Sequence, residues 1–254
     1  MLQIADNIAR SGQDVIIFTL EQSKFELVTK AISRISYQEQ PGRAISHSEI
    51  LAETDANNIF NENDIFMNAS TKYYEQIAPR TIIEEGNFNT SVDTIKDYIQ
   101  RYIAVTGKQP VVFIDYLQIL APSNEKFTDK QQTDYNVTTL KKISRDYNIP
   151  IFAIASFNRA NYSQEASYEA FKESGSIEYT ADVVFTMQLS YIGDLKPGET
   201  ADRRQVQEEK RKLPRQVELI CLKNRNGKSN FKIKYDYNPV FNNFKEKDER
   251  EQDL

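Results

Sequence analysis

Apolar residues in this chain occur in two ways: in short unbroken runs, and in longer stretches where they recur every three or four positions. Val15-Ile16-Ile17-Phe18-Thr19-Leu20 is a run of β-branched and aromatic types that ends on Glu21. Val111-Val112-Phe113-Ile114 opens a second, which Pro110 introduces and Pro122 closes, so a strand is predicted over 111–120 with Asp115 inside it. Runs without polar interruption are what strands buried on both faces of a parallel sheet require. Ile151 to Ala155 predicts a third buried strand, and Val183 to Leu189 and Val217 to Leu222 are read as further strands. Phe231 to Tyr235 alternates, as an outer antiparallel strand does.

The helical periods fall between these runs. Leu2, Ile4, Ala5, Ile8 and Ala9 share a face of a helix over 2–10 that opens with no strand, loop or cap before it and closes at Gly12, a C-cap type. Phe25, Val28, Ala31, Ile32 and Ile35 do the same over 23–36. Residues 37–109 are less regular: helices are predicted near 46–59 and 70–78, short strands at 65–68 and 81–84, and a helix from Ser91 to about Thr106 with Val92, Ile95, Ile99 and Ile103 inward. A polar loop at 122–132 leads to a helix carrying Val137, Leu140, Ile143 and Tyr147, which stops before Pro150. Residues 157–176 form a long polar connection, a length usual for functional or disordered loops. Strands alternating with helices, then a strand-rich end, predict an α/β fold: a mostly parallel sheet flanked by helices, with a carboxyl-terminal antiparallel extension. Residues 245–254 are nearly all charged or polar and are expected to fray.

Composition narrows the chemistry. A net charge of −5 argues against a generally basic nucleic-acid binder. The charge is uneven, however: eleven Lys/Arg face three Asp/Glu between Arg203 and Lys234, a segment suited either to following a polyanion or to keeping a hairpin edge soluble. Cys221 is the only cysteine, which excludes a disulfide framework and a cysteine metal cluster. His47 is the only histidine and reads as a surface residue at a helix start, leaving no basis for a histidine zinc site. No apolar run approaches a membrane span and no secretory signal opens the chain, so the default expectation is a cytoplasmic protein with no membrane partner.

Ligands of open α/β sheets bind beyond the carboxyl ends of the strands, where Asp115 is expected. A carboxylate there either holds a hydrated Mg²⁺ beside phosphates or caps a loop. Glu21 has the same choice between site acid and ordinary first-turn helix acid. Five segments then form an ordered set: Phe18-Thr19-Leu20-Glu21-Gln22-Ser23; Val112-Phe113-Ile114-Asp115-Tyr116-Leu117-Gln118; Ala155-Ser156-Phe157-Asn158-Arg159; Lys172 to Glu178 with Ala181-Asp182; and Leu222-Lys223-Asn224-Arg225-Asn226-Gly227. Together, over about residues 2–240, they resemble the C-terminal motor domain of DnaB-type hexameric replicative helicases. The second and fifth are the most specific.

The resemblance implies a RecA-like P-loop NTPase core over 1–244, with ATP and Mg²⁺ as cofactors and single-stranded DNA and a homo-hexamer or intact helicase subunits as partners. It implies that Asp115 is the acid that orders Mg²⁺ and that Glu21 positions the attacking water. Lys223 and Arg225 match a basic finger that reaches a neighbouring subunit's nucleotide, and their spacing of two places both on one strand face. Ser156 stands where the family's phosphate-sensing glutamine sits. Lys126 and Lys130 in one loop, and Arg159, Asn161 and Tyr162 in another, match the positions of DNA-contacting pore loops. One departure is plain. The family's glycine-rich loop ending in Gly-Lys-Ser/Thr has no counterpart, since the only Gly-Lys pairs, at 107–108 and 227–228, are in the wrong places and lack the loop pattern. The first strand and P-loop are therefore read as missing, and the chain as a carboxyl-terminal piece of a motor, inactive alone. A non-catalytic subunit donating Lys223 and Arg225 in trans and a RecA-type recombinase are the alternatives.

Overall fold

The structure, a computed structural model, describes residues 1–54, 64–157, 164–168, 175–196 and 199–247. The chain divides into two compact units, Met1–Ala155 with Val240–Asn242, and Ser156–Pro239 with Asn243–Leu254.

The first unit is a parallel four-stranded sheet in the order β2-β1-β3-β4, built from β1 (Val15–Thr19), β2 (Thr81–Glu85), β3 (Val111–Asp115) and β4 (Ile151–Ala153). Its helices are α1 (Leu2–Arg10), α2 (Lys24–Glu39), α3 (His47–Thr54), α4 (Asp64–Gln76), α5 (Val92–Thr106) and α6 (Asp129–Tyr147). Period-two alternation sends Val15, Ile17, Ile83, Val111 and Phe113 to one face, where they pack with Ala5 and Ala9 of α1, Leu27, Ala31, Ile32 and Ile35 of α2, and Ala69 and Tyr73 of α4. The opposite face carries Phe18, whose ring meets Tyr98 of α5 edge-on. Three helices start on reciprocal caps in which the cap hydroxyl accepts the N–H three residues on and that residue's side chain answers: Ser23 with Glu26, Ser91 with Thr94, and Thr128 with Gln131.

The second unit is an antiparallel sheet in the order β5-β6-β7-β8, from β5 (Val183–Leu189), β6 (Arg215–Asn224), β7 (Phe231–Asn238) and β8 (Asn243–Glu246). Short helices α7 (Gly175–Thr180), α8 (Ser190–Gly193) and α9 (Arg203–Arg211) complete it. Its core gathers Leu189, Ile192, Ala201, Val206 and Val217.

Several predicted elements need correction. The strand expected over 111–120 leaves the sheet at Asp115, and Leu117–Ile119 form a 3-10 turn whose apolar residues prolong the run without prolonging the strand. The strand expected to be buried over 151–155 is Ile151–Ala153 at the sheet edge, with Phe152 and Ile154 39% and 37% exposed. Residues 65–68 are helical, inside α4, which begins earlier than the helix expected at 70–78. The helix expected near 46–59 is described only as α3, and residues 55–63 lie outside the described residues. The loop at 122–132 ends at Thr128, because the Thr128–Gln131 cap starts α6 at Asp129. His47 is half-buried rather than on the surface: its Nδ1 lies 2.9 Å from Thr29 Oγ1 of α2. The helix over 2–10 ends at Ser11, and Gly12 follows it with φ +95°, a conformation glycine adopts without penalty. β8 takes in Lys245 and Glu246, the first pair of the charged tail, while residues 248–254 lie outside the described residues.

Candidate functional site

β1 and β3 are neighbours in register, with Thr19 opposite Asp115, so both runs deliver their terminal acids to the same end of the sheet. The ladder continues one step further, where Leu20 N–H donates to Asp115 O at 3.0 Å. Thr19 Oγ1 then folds the turn that presents Glu21: it donates to Gln22 O at 2.7 Å and accepts Gln22 N–H at 3.2 Å. α2 is fixed just beyond by its Ser23 cap and by Glu85 at the end of β2, whose Oε1 accepts Lys24 N–H at 2.5 Å. The Asp115–Tyr116 peptide bond is cis.

Glu21 is exposed and Asp115 half-buried. Burial raises the Asp115 carboxyl above the ordinary aspartate value; the Met1 amino group opposes this, the Glu21 carboxylate adds to it, and Lys30 opposes it weakly. The two acids therefore feel one another across the strand ends. Mg²⁺ is commonly held by one or two carboxylates with waters and substrate phosphates completing its shell. Among the described residues no group of three or more His, Cys, Asp or Glu could hold a metal ion, so a dedicated protein cage is not what this site offers. An acid whose ionisation is held back by burial and a like charge is the group that a divalent cation would discharge, so Asp115 with Glu21 beside it fits Mg²⁺ in the phosphate-bridged mode.

Lys126 and Lys130 are both exposed. The loop carrying Lys126 is tied down at its root: Ala121 N–H donates to Thr90 O at 2.8 Å, and Ser123 Oγ donates to Asp93 Oδ2 at 2.6 Å. Lys130 belongs to the first turn of α6 rather than to the loop. Ser156 is exposed. Arg159, Asn161 and Tyr162 lie outside the described residues.

In the second unit, Lys223 is in β6, whereas Arg225 lies one residue past its end, so the pair is not simply two residues on one strand face. Arg225 N–H donates to Asp182 O at 2.8 Å and its guanidinium pairs with Asp182 Oδ1 at 3.1 Å. Lys223 Nζ donates to Glu178 O, the backbone near the end of α7, at 2.5 Å. Both cations are thus held by the segment entering β5. Asp182 and Glu85 are partners that sequence reasoning did not select, although Asp182 lay within a matched segment and Glu85 closes an apolar strand.

The parallel order, with acids beyond the carboxyl ends and an antiparallel extension, defines an α/β domain of the RecA-like class. Two solved structures share the fold: one described as an ATPase domain (TM-score 0.77, 20% identity, 97% of this chain and 79% of that one), the other as a DnaB-like replicative helicase and its interactions with primase (TM-score 0.74, 20% identity, 96% and 52%). The family model for the DnaB-like helicase C terminal domain matches residues 1–246, and the chain belongs to that family. Among relatives, the replicative DNA helicase DnaB of Mycoplasma genitalium is 26% identical over 242 residues, covering 93% of this chain and 46% of the relative. A probable replicative DNA helicase of Trieres chinensis is 24% identical over 245 residues, covering 93% and 48%. The chain spans about half the length of these relatives.

Proposed function

We propose that this chain is a carboxyl-terminal piece of the ATP-driven, DNA-translocating motor of a hexameric replicative helicase, inactive alone. The observation that carries the reading is the placement of Glu21 and Asp115 at the same end of adjacent parallel strands, where burial and mutual repulsion ready Asp115 for a cation. Phosphoryl transfer asks the protein for a metal, an oriented water and a cation opposite the metal. In this reading Asp115 orders Mg²⁺ and Glu21 orients the water. Arg225 and Lys223 then serve the nucleotide of the adjacent subunit, Arg225 exchanging Asp182 for a phosphate. Lys126 and Lys130, with Arg159 and Asn161, follow single-stranded DNA through its phosphates. Ser156 reaches the terminal phosphate through a bridging water. Family membership favours this reading over a recombinase.

Gly227-Lys228-Ser229, the one Gly-Lys-Ser/Thr in residues 1–254, joins β6 to β7 and opens no helix after a glycine-rich loop, so it does not supply the loop that grips the phosphates. The purified 254-residue protein is therefore expected to hydrolyse ATP negligibly, with or without DNA. Joining a family strand and phosphate-binding loop ahead of Leu2 is expected to create Mg²⁺-dependent hydrolysis. Glu21→Gln or Asp115→Asn should then lower its kcat by roughly 10²-fold or more, the scale of losing one electrostatic contributor. Hydrolysis indifferent to both substitutions would sink the reading.

A further inference from the structure

The second unit buries a charge that neither the metal site nor the finger uses. Glu218 of β6 is 1% exposed. Its Oε1 accepts from Gln188 Nε2 of β5 at 2.7 Å and lies 3.3 Å from Lys232 Nζ of β7, which reaches it diagonally across the ladder. The other end of Gln188 is also engaged: its Oε1 accepts Ala166 N–H at 2.7 Å. Lys232 also pairs with Glu165 at 2.8 Å. Burial works against the Lys232 charge, but Glu165 and Glu218 outweigh it and keep the ammonium firmly protonated. Residues 165 and 166 are thus fastened to three strands through one buried carboxylate. A buried ion pair of this kind is weak evidence for stability, since apolar residues of similar volume often serve as well. Thr186 and Ser190, two positions either side of Gln188, have buried hydroxyls without a partner among the described residues.

The same segment reaches β6 by a second route. Tyr168 donates its hydroxyl to Leu222 O at 2.7 Å. Val184 pairs with Lys223 and Phe185 with Cys221, so Leu222 is the extra residue of a β-bulge. Bulges re-aim the side chains that follow them, and here those are Lys223 and, two residues on, Arg225.

We infer that Tyr168 and the Gln188–Glu218–Lys232 seam are positioning residues, which tie the segment 164–168 to the bulge that aims Lys223 and Arg225, so that displacement of the segment re-aims both cations. This rests on the proposed function, in which the connection containing that segment touches DNA and the cations serve a nucleotide. It adds how occupancy of one is passed to the other.

The test reads the Arg225 Nε–H and Lys223 Nζ resonances of the ¹⁵N-labelled 254-residue protein, free and titrated with oligo(dT). In the free protein, Tyr168→Phe, which removes only the hydroxyl, is expected to move both resonances while lowering the melting temperature by no more than a few degrees. In the wild type, oligo(dT) is expected to shift Arg225. In Tyr168→Phe the re-aimed population and, by linkage, the oligo(dT) affinity should each change by roughly two- to tenfold, the worth of one hydrogen bond. Lys232→Gln should act likewise, and Lys232→Arg, which keeps the charge, should restore the wild-type response. Free-protein resonances indifferent to Tyr168→Phe, or an equal Arg225 shift in variant and wild type, would overturn the positioning role and leave the proposed function standing. Failure of the wild type to bind oligo(dT) would overturn the DNA part of the proposed function and the relay with it.

Discussion

Asp14 and Asp115 lie at opposite ends of the same parallel strands and respond to pH in opposite senses. Asp14, just before β1, is opposed by burial, but Lys108 at 2.8 Å, the Tyr102 hydroxyl at 2.7 Å and Arg80 at 3.0 Å more than compensate, and its carboxyl sits below the ordinary aspartate value. A depressed carboxyl contributes stability above its unfolded value, and that stability is lost as pH falls through the folded value. Asp115 is raised, so its sign reverses: the native state is favoured while the group is protonated, and that advantage is lost as pH rises through the folded value. Asp14→Asn is expected to lower stability at neutral pH by on the order of 1 kcal/mol, discounted because Arg80 and Lys108 are largely solvated. Asp115→Asn is expected to raise the melting temperature at neutral pH by a few degrees. Urea melts from neutral to strongly acidic pH check both: each variant should converge on the wild type as its aspartate protonates. A destabilised Asp115→Asn at neutral pH would mean that the carboxylate is already satisfied.

At the scale of elements, helix starts carry the most local information. Ser23 accepts Glu26 N–H at 3.1 Å, and the Glu26 carboxylate in return accepts Ser23 N–H at 2.8 Å and the Ser23 hydroxyl at 3.3 Å, bonds that hold it below its usual value, the backbone one most. Ser23→Ala is expected to cost about 1 kcal/mol in urea unfolding at neutral pH. The loss should shrink as pH falls through the native Glu26 value and the cap releases; a cost independent of pH would show that the box contributes nothing beyond the hydroxyl. Ser23 and Ser91 stand where two of the helices with such caps were expected to open, whereas the Thr128–Gln131 pair lay inside the expected loop and its helix was legible only from its apolar period. The short run Ile65-Phe66-Met67 was not legible as helix, because a few apolar residues suit a strand as well as a helix. α9 escaped notice since Val206 is its only buried residue, too little for a period. The acids of the site were legible because both ended apolar runs that fold as adjacent strands. Their supports were not: Glu85 meets α2, and Asp182 meets Arg225, through pairings that only the assembled sheets create.

For the whole molecule, each unit has a core of its own. Phe113, 1% exposed, belongs to the large cluster between the parallel sheet and helices α1 to α4. Val217, 6% exposed, belongs to the smaller cluster among β5, β6, α8 and α9. Cooperativity follows shared burial, and among the described residues neither of these two clusters draws a residue from the other unit. The chain is therefore expected to unfold in two transitions rather than one. Phe113→Ala should lower the first unit's transition by about 3–5 kcal/mol, the cost of emptying a large buried site, and leave the other in place. Val217→Ala should act on the second alone. Scanning calorimetry with amide exchange read at Ile17 and Ile220, buried strand residues of the two units, distinguishes the outcomes. A single transition whose calorimetric and van't Hoff enthalpies agree, moved as one by either substitution, would show that the units fold as one body. Independent melting would permit the positioning role of Tyr168 and Glu218 to be probed with the parallel sheet intact, because damage to the basic strand would not spread to the acids at the other site.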